Sequence, residues 1–167
     1  MVIRIERIGT EHASVVQQIY EKNPTYFLNT EHELPGPDAA RKDIEDKVPV
    51  ARRSTSYEKH FCLITLDGIP IGIVDLHQDH PQRGVTYVGL FLLDENFQDR
   101  GLGKNCFREV ENYINRSFSC SHLRLGISLD NNVEGFWKKL GFVRNGHTYN
   151  WNGANRINSV FEMEKKL

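Results

Sequence analysis

The stretch LFLLDENFQDRGLGKNCFREVENYI, residues 90–114, holds the residue types best suited to chemistry. It runs from an apolar segment through a polar connection and paired glycines into helical spacing. Gly101 and Gly103 carry no side chain, so an anion can approach their backbone closely. The first N–H groups of the helix that follows lack intrahelical partners and, with the helix dipole, favour negative charge. Arg100 and Lys104 add positive charge beside them. The same glycines also suit a plain tight turn between strand and helix, and on these residues alone both readings stand. Two phosphate motifs fail. A Walker-A loop needs glycine five positions before Gly103 and Ser or Thr after Lys104, where this chain has Gln98 and Asn105. A dinucleotide fingerprint needs glycine where Cys106 stands, inside a βαβ repeat that the pattern lacks.

A second cluster is Asp75, His77, Asp79 and His80 in VDLHQDHP. His-x-x-His beside carboxylates is a sparse metal pattern, no further ligand spacing joins it, and no metal is expected. Histidine titrates near neutrality, so His77 or Asp75 could bind or deprotonate an amine, or could simply order a loop.

The elements that must position these residues alternate in period, which indicates mixed α and β structure. VIRIERI reads as a strand, followed by a helix with Thr10 as N-cap and Val15, Val16, Ile19 and Tyr20 on its apolar face. Residues 23–37 are rich in turn formers, and AARKDIEDKV, with Pro37 near its first turn, reads as a polar helix. HFCLITLD and IPIGIVDLH flank Asp67-Gly68 as a hairpin. VTYVGLFLLD (85–94) is apolar enough for a strand buried on both faces. Residues 103–116 are helical, HLRLGISL is a strand, and VEGFWKKL is a helix stopped by Gly141. FVRNGHTYNW and NSVFEMEK end the chain as two strands with Asn152-Gly153 at their turn. The predicted order is β-α-α-β-β-β-α-β-α-β-β, a mixed α/β (α+β) sheet with helices packed on it, in one domain spanning 1–167.

Gln98-Asp99-Arg100-Gly101-Leu102-Gly103 resembles the Q/R-x-x-G-x-G/A signature of the GNAT superfamily of acyl-CoA-dependent N-acetyltransferases. LGISLDNNVEGFWKKLGF (125–142) is similar to that family's next strand, helix and terminal Leu-Gly-Phe, and the element order matches over nearly the whole chain. The resemblance implies that the backbone of residues 98–104 cradles the pyrophosphate of acetyl-CoA, the co-substrate. It implies that Phe91, Leu92 and Leu93 pair with the pantetheine arm, the amide near Phe91 facing the thioester carbonyl, where charge develops during acyl transfer. Asn131 or Asn132 would bond the cofactor, whereas Gln98 serves either the cofactor or the order of its own turn. The acceptor, a primary amine of a small molecule or peptide, would lie between Tyr26, Phe27, Asn29, Glu31, His32, Glu33 and Asp75 and the Tyr149–Trp151 hairpin.

Two family positions differ. The histone-acetylating branch has a glutamate base eleven positions before the signature, where this chain has Tyr87, a poor base at neutral pH. The helix tyrosine that serves many members as general acid is replaced by Trp137, which reads as packing. The catalytic candidates are therefore Tyr87, His77 and Tyr149, with water or Tyr113 as other proton donors. Cys62, Cys106 and Cys120 have no evident activation, so no acyl-enzyme is expected. An acyl-CoA-binding or sensory module that lost turnover is the alternative, and a nucleotide-binding regulator is a third reading.

Composition sets outer bounds. In 167 residues, 21 Lys and Arg stand against 22 Asp and Glu, a net charge of -1 that argues against a nucleic-acid partner. The chain is 39% hydrophobic and 26% charged, ordinary for a globular protein. MVIRIERIGTEHAS shows no leader pattern, no apolar run is long enough to span a bilayer, and the odd cysteines are unpaired. The expectation is a cytoplasmic protein without membrane contact, whose sheet edges allow a homodimer.

Overall fold

The computed structural model describes residues 1–152 and 157–167. Strand β1 (Ile3–Arg7) leads to helices α1 (Ala13–Glu21), α2 (Pro24–Thr30) and α3 (Ala39–Glu45). Strands β2 (Glu58–Leu66), β3 (Ile69–Gln78) and β4 (Val85–Leu93) follow. Helix α4 (Leu102–Ser117), strand β5 (His122–Ser128), helix α5 (Glu134–Lys139) and strands β6 (Val143–Asn152) and β7 (Ile157–Lys166) complete the described chain. They form one seven-stranded mixed sheet in the order β1-β2-β3-β4-β5-β7-β6, with β4 and β5 the parallel pair.

Alternation along the strands gives each face its own core. Phe61, Leu63, Ile73 and Leu92 pack with Val16, Ile19, Tyr20 and Phe27 beneath α1–α3. Cys62, Ile64, Val74, Leu76, Leu125 and Met163 pack with Cys106, Phe107, Val110, Ile114 and Trp137 of α4 and α5. Phe107 is completely enclosed, its ring 5.0 Å from that of Trp137 and 5.3 Å from that of Phe91, both near perpendicular.

Three local expectations are revised. The turn-rich stretch contains α2, because Pro24 suits the first helical turn and Phe27 turns inward, its ring 4.9 Å from that of Tyr20. Thr10 does not cap α1: Thr10–His12 form a 3-10 turn, and the Glu11 carboxylate accepts from the Gly9 N–H. Strand β4 is not buried throughout, since Gly89 is exposed and Leu90 and Phe91 are half-buried along an opening in the sheet. The Asp67-Gly68 hairpin turn is present, and Gly141 ends α5 at φ 93°. The predicted turn at Asn152-Gly153 lies partly outside the described residues.

Candidate active site

The opening originates in β4. Strands β4 and β5 pair only from Val85 with His122 to Val88 with Leu125. At the next residue β4 is bulged: Asp75 pairs with Leu90 and Leu76 with Val88, which leaves Gly89 without a partner in β3. A bulge bends its strand, while β5 stays paired with β7 through Ser128. The two strands therefore separate around a cleft of 630 Å³. Its walls include Gly89–Leu93, Gly126–Ser128, Tyr26, Asn131, Phe136 and Trp137.

Backbone direction follows from one bond. The Asp94 amide donates to the Ile71 carbonyl at 2.8 Å. Antiparallel ladders alternate, so the polar backbone groups of Leu92 face β3 and those of Phe91 and Leu93 face the cleft. The Leu93 carbonyl accordingly accepts from Gln98 Nε2 at 2.7 Å.

The turn into α4 closes one end. Gly101 stands before the helix at φ 74°, a left-handed conformation that glycine adopts without strain, and no side chain caps the helix. A Cβ on Gly101 would meet open space, whereas one on Gly103 would come within 3.0 Å of the Phe136 ring. Gln98, Asp99, Gly101, Gly103 and Lys104 all line the cleft. Arg100 instead lies over the Phe97 ring and Leu102 packs against the core, so neither side chain is in the lining. Gln98 Nε2 also donates to Asn23 Oδ1 at 2.7 Å, which ties this turn to the end of α1. Asn131 lines the cleft, while Asn132 is exposed outside it.

On the α1–α3 face a second pocket of 310 Å³ adjoins the cleft, sharing Tyr26, Gly89 and Leu90 with it. Phe27, Asp75 and His77 line this pocket with Glu31, Asp43, Asp46, Lys47 and Lys59. His77 Nε2 lies 3.1 Å from Asp75 Oδ2, and its Nδ1 is 2.9 Å from the Tyr57 hydroxyl. The Tyr57 hydroxyl also accepts from the Val48 N–H at 3.2 Å, which holds it beside the imidazole. Both His77 nitrogens are thus engaged within the protein. Lys59 Nζ lies 3.2 Å from Asp75 Oδ2, but Asp75 Oδ1 is buried without a partner among the described residues. Burial, then Asp43 and Glu33, push the Glu31 carboxyl up to about 7, and burial raises that of Asp43. Asp79 serves elsewhere, its Oδ1 accepting from the Gly84 N–H at 2.7 Å.

Tyr87 of β4 and Tyr149 of β6 meet with hydroxyls 2.7 Å apart. They stand over Gly126, where a Cβ would lie 2.8 Å from the first hydroxyl and 2.4 Å from the second. Burial raises both phenols, so both hydroxyls are protonated at neutral pH. Trp137 is 7% exposed within the Phe91, Phe107, Phe136 and Phe142 rings, and Tyr113 is occupied with His60 Nδ1 at 2.9 Å. Sequence reasoning missed Lys59 and Asp43 of the second pocket, and Tyr57 behind His77. The signal available was a lysine beside the apolar run FCLI of strand EKHFCLITL.

A sequence profile described as the Acetyltransferase (GNAT) family matches residues 16–142, from α1 through the cleft to Phe142, and the chain belongs to that family. No curated protein matches it significantly in sequence. The fold is similar to an acetyltransferase from Thermus thermophilus, at TM-score 0.73 and 18% identity over 100% of this chain and 98% of that one. It is also similar to a Salmonella typhimurium acetyl transferase that modifies the N-terminal serine of a 50S ribosomal subunit protein (TM-score 0.75, 14% identity, 100% and 96% covered). A third is an N-acetyltransferase from Thermoplasma acidophilum in complex with coenzyme A (TM-score 0.61, 18% identity, 100% and 100% covered). At these identities the likeness concerns the fold.

Proposed function

We propose that this chain, as one domain over 1–167, is an acetyl-CoA-dependent N-acetyltransferase that passes the acetyl group directly to a primary amine of a small molecule or peptide. The observation that carries the reading is the cleft where β4 and β5 separate, with the Phe91 backbone facing it and an uncapped helix start at its end. The residues present fit the co-substrate. The N–H groups of the Gly101–Lys104 turn, with the Lys104 ammonium, suit a pyrophosphate. The cleft-facing backbone of Phe91 and Leu93 suits the amides of a pantetheine arm, Leu92 being turned to β3, and Asn131 offers a further polar contact.

In the reaction the amine nitrogen bonds to the acyl carbon, the carbon–sulfur bond breaks, the nitrogen loses a proton and the thiolate gains one. The Phe91 N–H is the donor for the charge that develops on the acyl oxygen. The Tyr87–Tyr149 pair, both hydroxyls protonated, serves the acid side in place of the helix tyrosine that Trp137 replaces. His77, with both nitrogens engaged, orients Asp75 rather than taking the proton itself, which passes from the amine to water. Direct transfer is supported by the cysteines. Burial pushes the Cys62 thiol up to about 12 and that of Cys106 up to about 11, so neither is a ready nucleophile. Cys120 gives its thiol to the His122 carbonyl.

A second reading, an acyl-CoA-binding module without turnover, draws on the buried Trp137. Thermal unfolding with acetyl-CoA, CoA, ATP and NAD at matched concentrations tests the cofactor. A ligand at 100 times its Kd stabilises a fold by about 2.7 kcal/mol. The expected result is a shift of several degrees with the two CoA species alone; a shift only with ATP or NAD would overturn the assignment.

A further inference from the structure

The pocket beside the cleft holds charges that direct acyl transfer does not use. Glu31, Asp43, Asp46 and Asp75 line it against Lys47 and Lys59, with His77 and the Tyr26 phenol as the other titratable groups. Lys59 Nζ is committed to the backbone carbonyls of Asp43 and Asp46 and to Asp75 Oδ2. Asp43 Oδ2 accepts from the Tyr20 hydroxyl at 2.7 Å. Asp75 is 8% exposed, and its Oδ1 has no partner among the described residues. Four carboxylates against two lysines, around a cavity with aromatic walls from Tyr26 and Phe27, leave an excess of negative charge that calls for a cation.

That cation cannot be the reacting nitrogen. An amine attacks only when neutral, and a carboxylate beside it would hold it charged and raise its pKa. The reacting nitrogen belongs at Gly89 and Phe91, in the cleft, and Gly89 with Leu90 also lines the acidic pocket. Resting on the acyltransferase reading above, we infer that the acceptor is a small aliphatic diamine or polyamine whose second, unreacting ammonium sits among Glu31, Asp43 and Asp75. Such a cation offsets the burial and the neighbouring carboxylates that raise the Glu31 and Asp43 carboxyls in the free protein.

The test compares 1,4-diaminobutane with 1-aminobutane. Calorimetric titration of each amine into the whole protein, saturated with CoA, reads binding without turnover. Thiol release from acetyl-CoA then reads kcat/KM. One charge-assisted contact to a buried carboxylate corresponds to about 10- to 100-fold, and the diamine is expected to exceed the monoamine by that factor in both readouts. Glu31→Gln is expected to bring the ratio down about tenfold, with acetyl-CoA affinity retained. Equal binding of the two amines, or an unchanged ratio in Glu31→Gln, would overturn the inference and leave the acyltransferase reading intact. Selective diamine binding without thiol release would do the reverse.

Discussion

Tyr87 and Tyr149 reach the same point from different strands: their hydroxyls are 2.7 Å apart above Gly126, the first residue of β5 beyond its pairing with β4. The contact connects the strand that borders the cleft to the terminal hairpin. If this pair serves the departing thiolate, Tyr149→Phe lowers kcat by about 100-fold while acetyl-CoA affinity stays unchanged. Steady-state kinetics with a parallel calorimetric titration reads both quantities, and an unchanged kcat removes the pair from the chemistry.

Gly126 is glycine for want of room. A methyl there would meet both hydroxyls and Val160 Cγ1, which is 2.8 Å from the Cβ position. Gly126→Ala is expected to cost about 1–3 kcal/mol in urea unfolding through overpacking, and to lower turnover by parting the hydroxyls. Full stability together with full activity would show that the pair moves aside freely.

Gln98 acts through the backbone. Its Nε2 holds both Asn23 Oδ1 and the Leu93 carbonyl at 2.7 Å, which fixes the turn against the cleft strand. Gln98→Ala removes both bonds, with an expected loss of about 1–3 kcal/mol of stability and weaker acetyl-CoA binding. A thermal-shift series with acetyl-CoA separates the two effects.

How far the sequence reaches is seen by comparing β4 with the second pocket. The seven strands, the turn at Gly101 and Gly103, and Trp137 as packing are all legible, because periodicity and glycine placement are local signals. Helix α2 is hidden because Asn23, Pro24 and Thr25 read as turn formers until Phe27 is seen against Tyr20. The acidic pocket is legible only in part, since the resemblance brings Glu31 and Asp75 to the acceptor site but not Asp43 or Lys59. Asp43 of α3 and Lys59 of β2 lie far from both in the chain, and no spacing shows that they join Glu31 and Asp75. The bulge at Gly89, which turns an apolar strand into a cleft wall, likewise depends on how β3 and β4 register.

Glu31 gives a pH-dependent prediction. Burial, Asp43 and Glu33 raise its carboxyl to about 7, against His32 acting downward, and Tyr26 from α2 also faces it. A carboxyl raised on folding binds its proton more tightly in the native state, so its contribution is fully favourable at low pH and is lost as pH rises from about 4.3 to 7. Glu31→Gln removes this loss. Urea midpoints are expected to favour the variant increasingly between those pH values, and a difference independent of pH would contradict the assignment.

The most direct test of the acyltransferase account is to incubate the protein with acetyl-CoA and a panel of primary amines, monoamines, diamines and peptide N-termini, measuring released thiol and intact masses together. The account predicts one N-acetylated amine for each thiol released and no acetyl group on Cys62, Cys106 or Cys120. Acetyl-CoA binding without thiol release for any amine of the panel, or acetyl found on a cysteine during turnover, would contradict it.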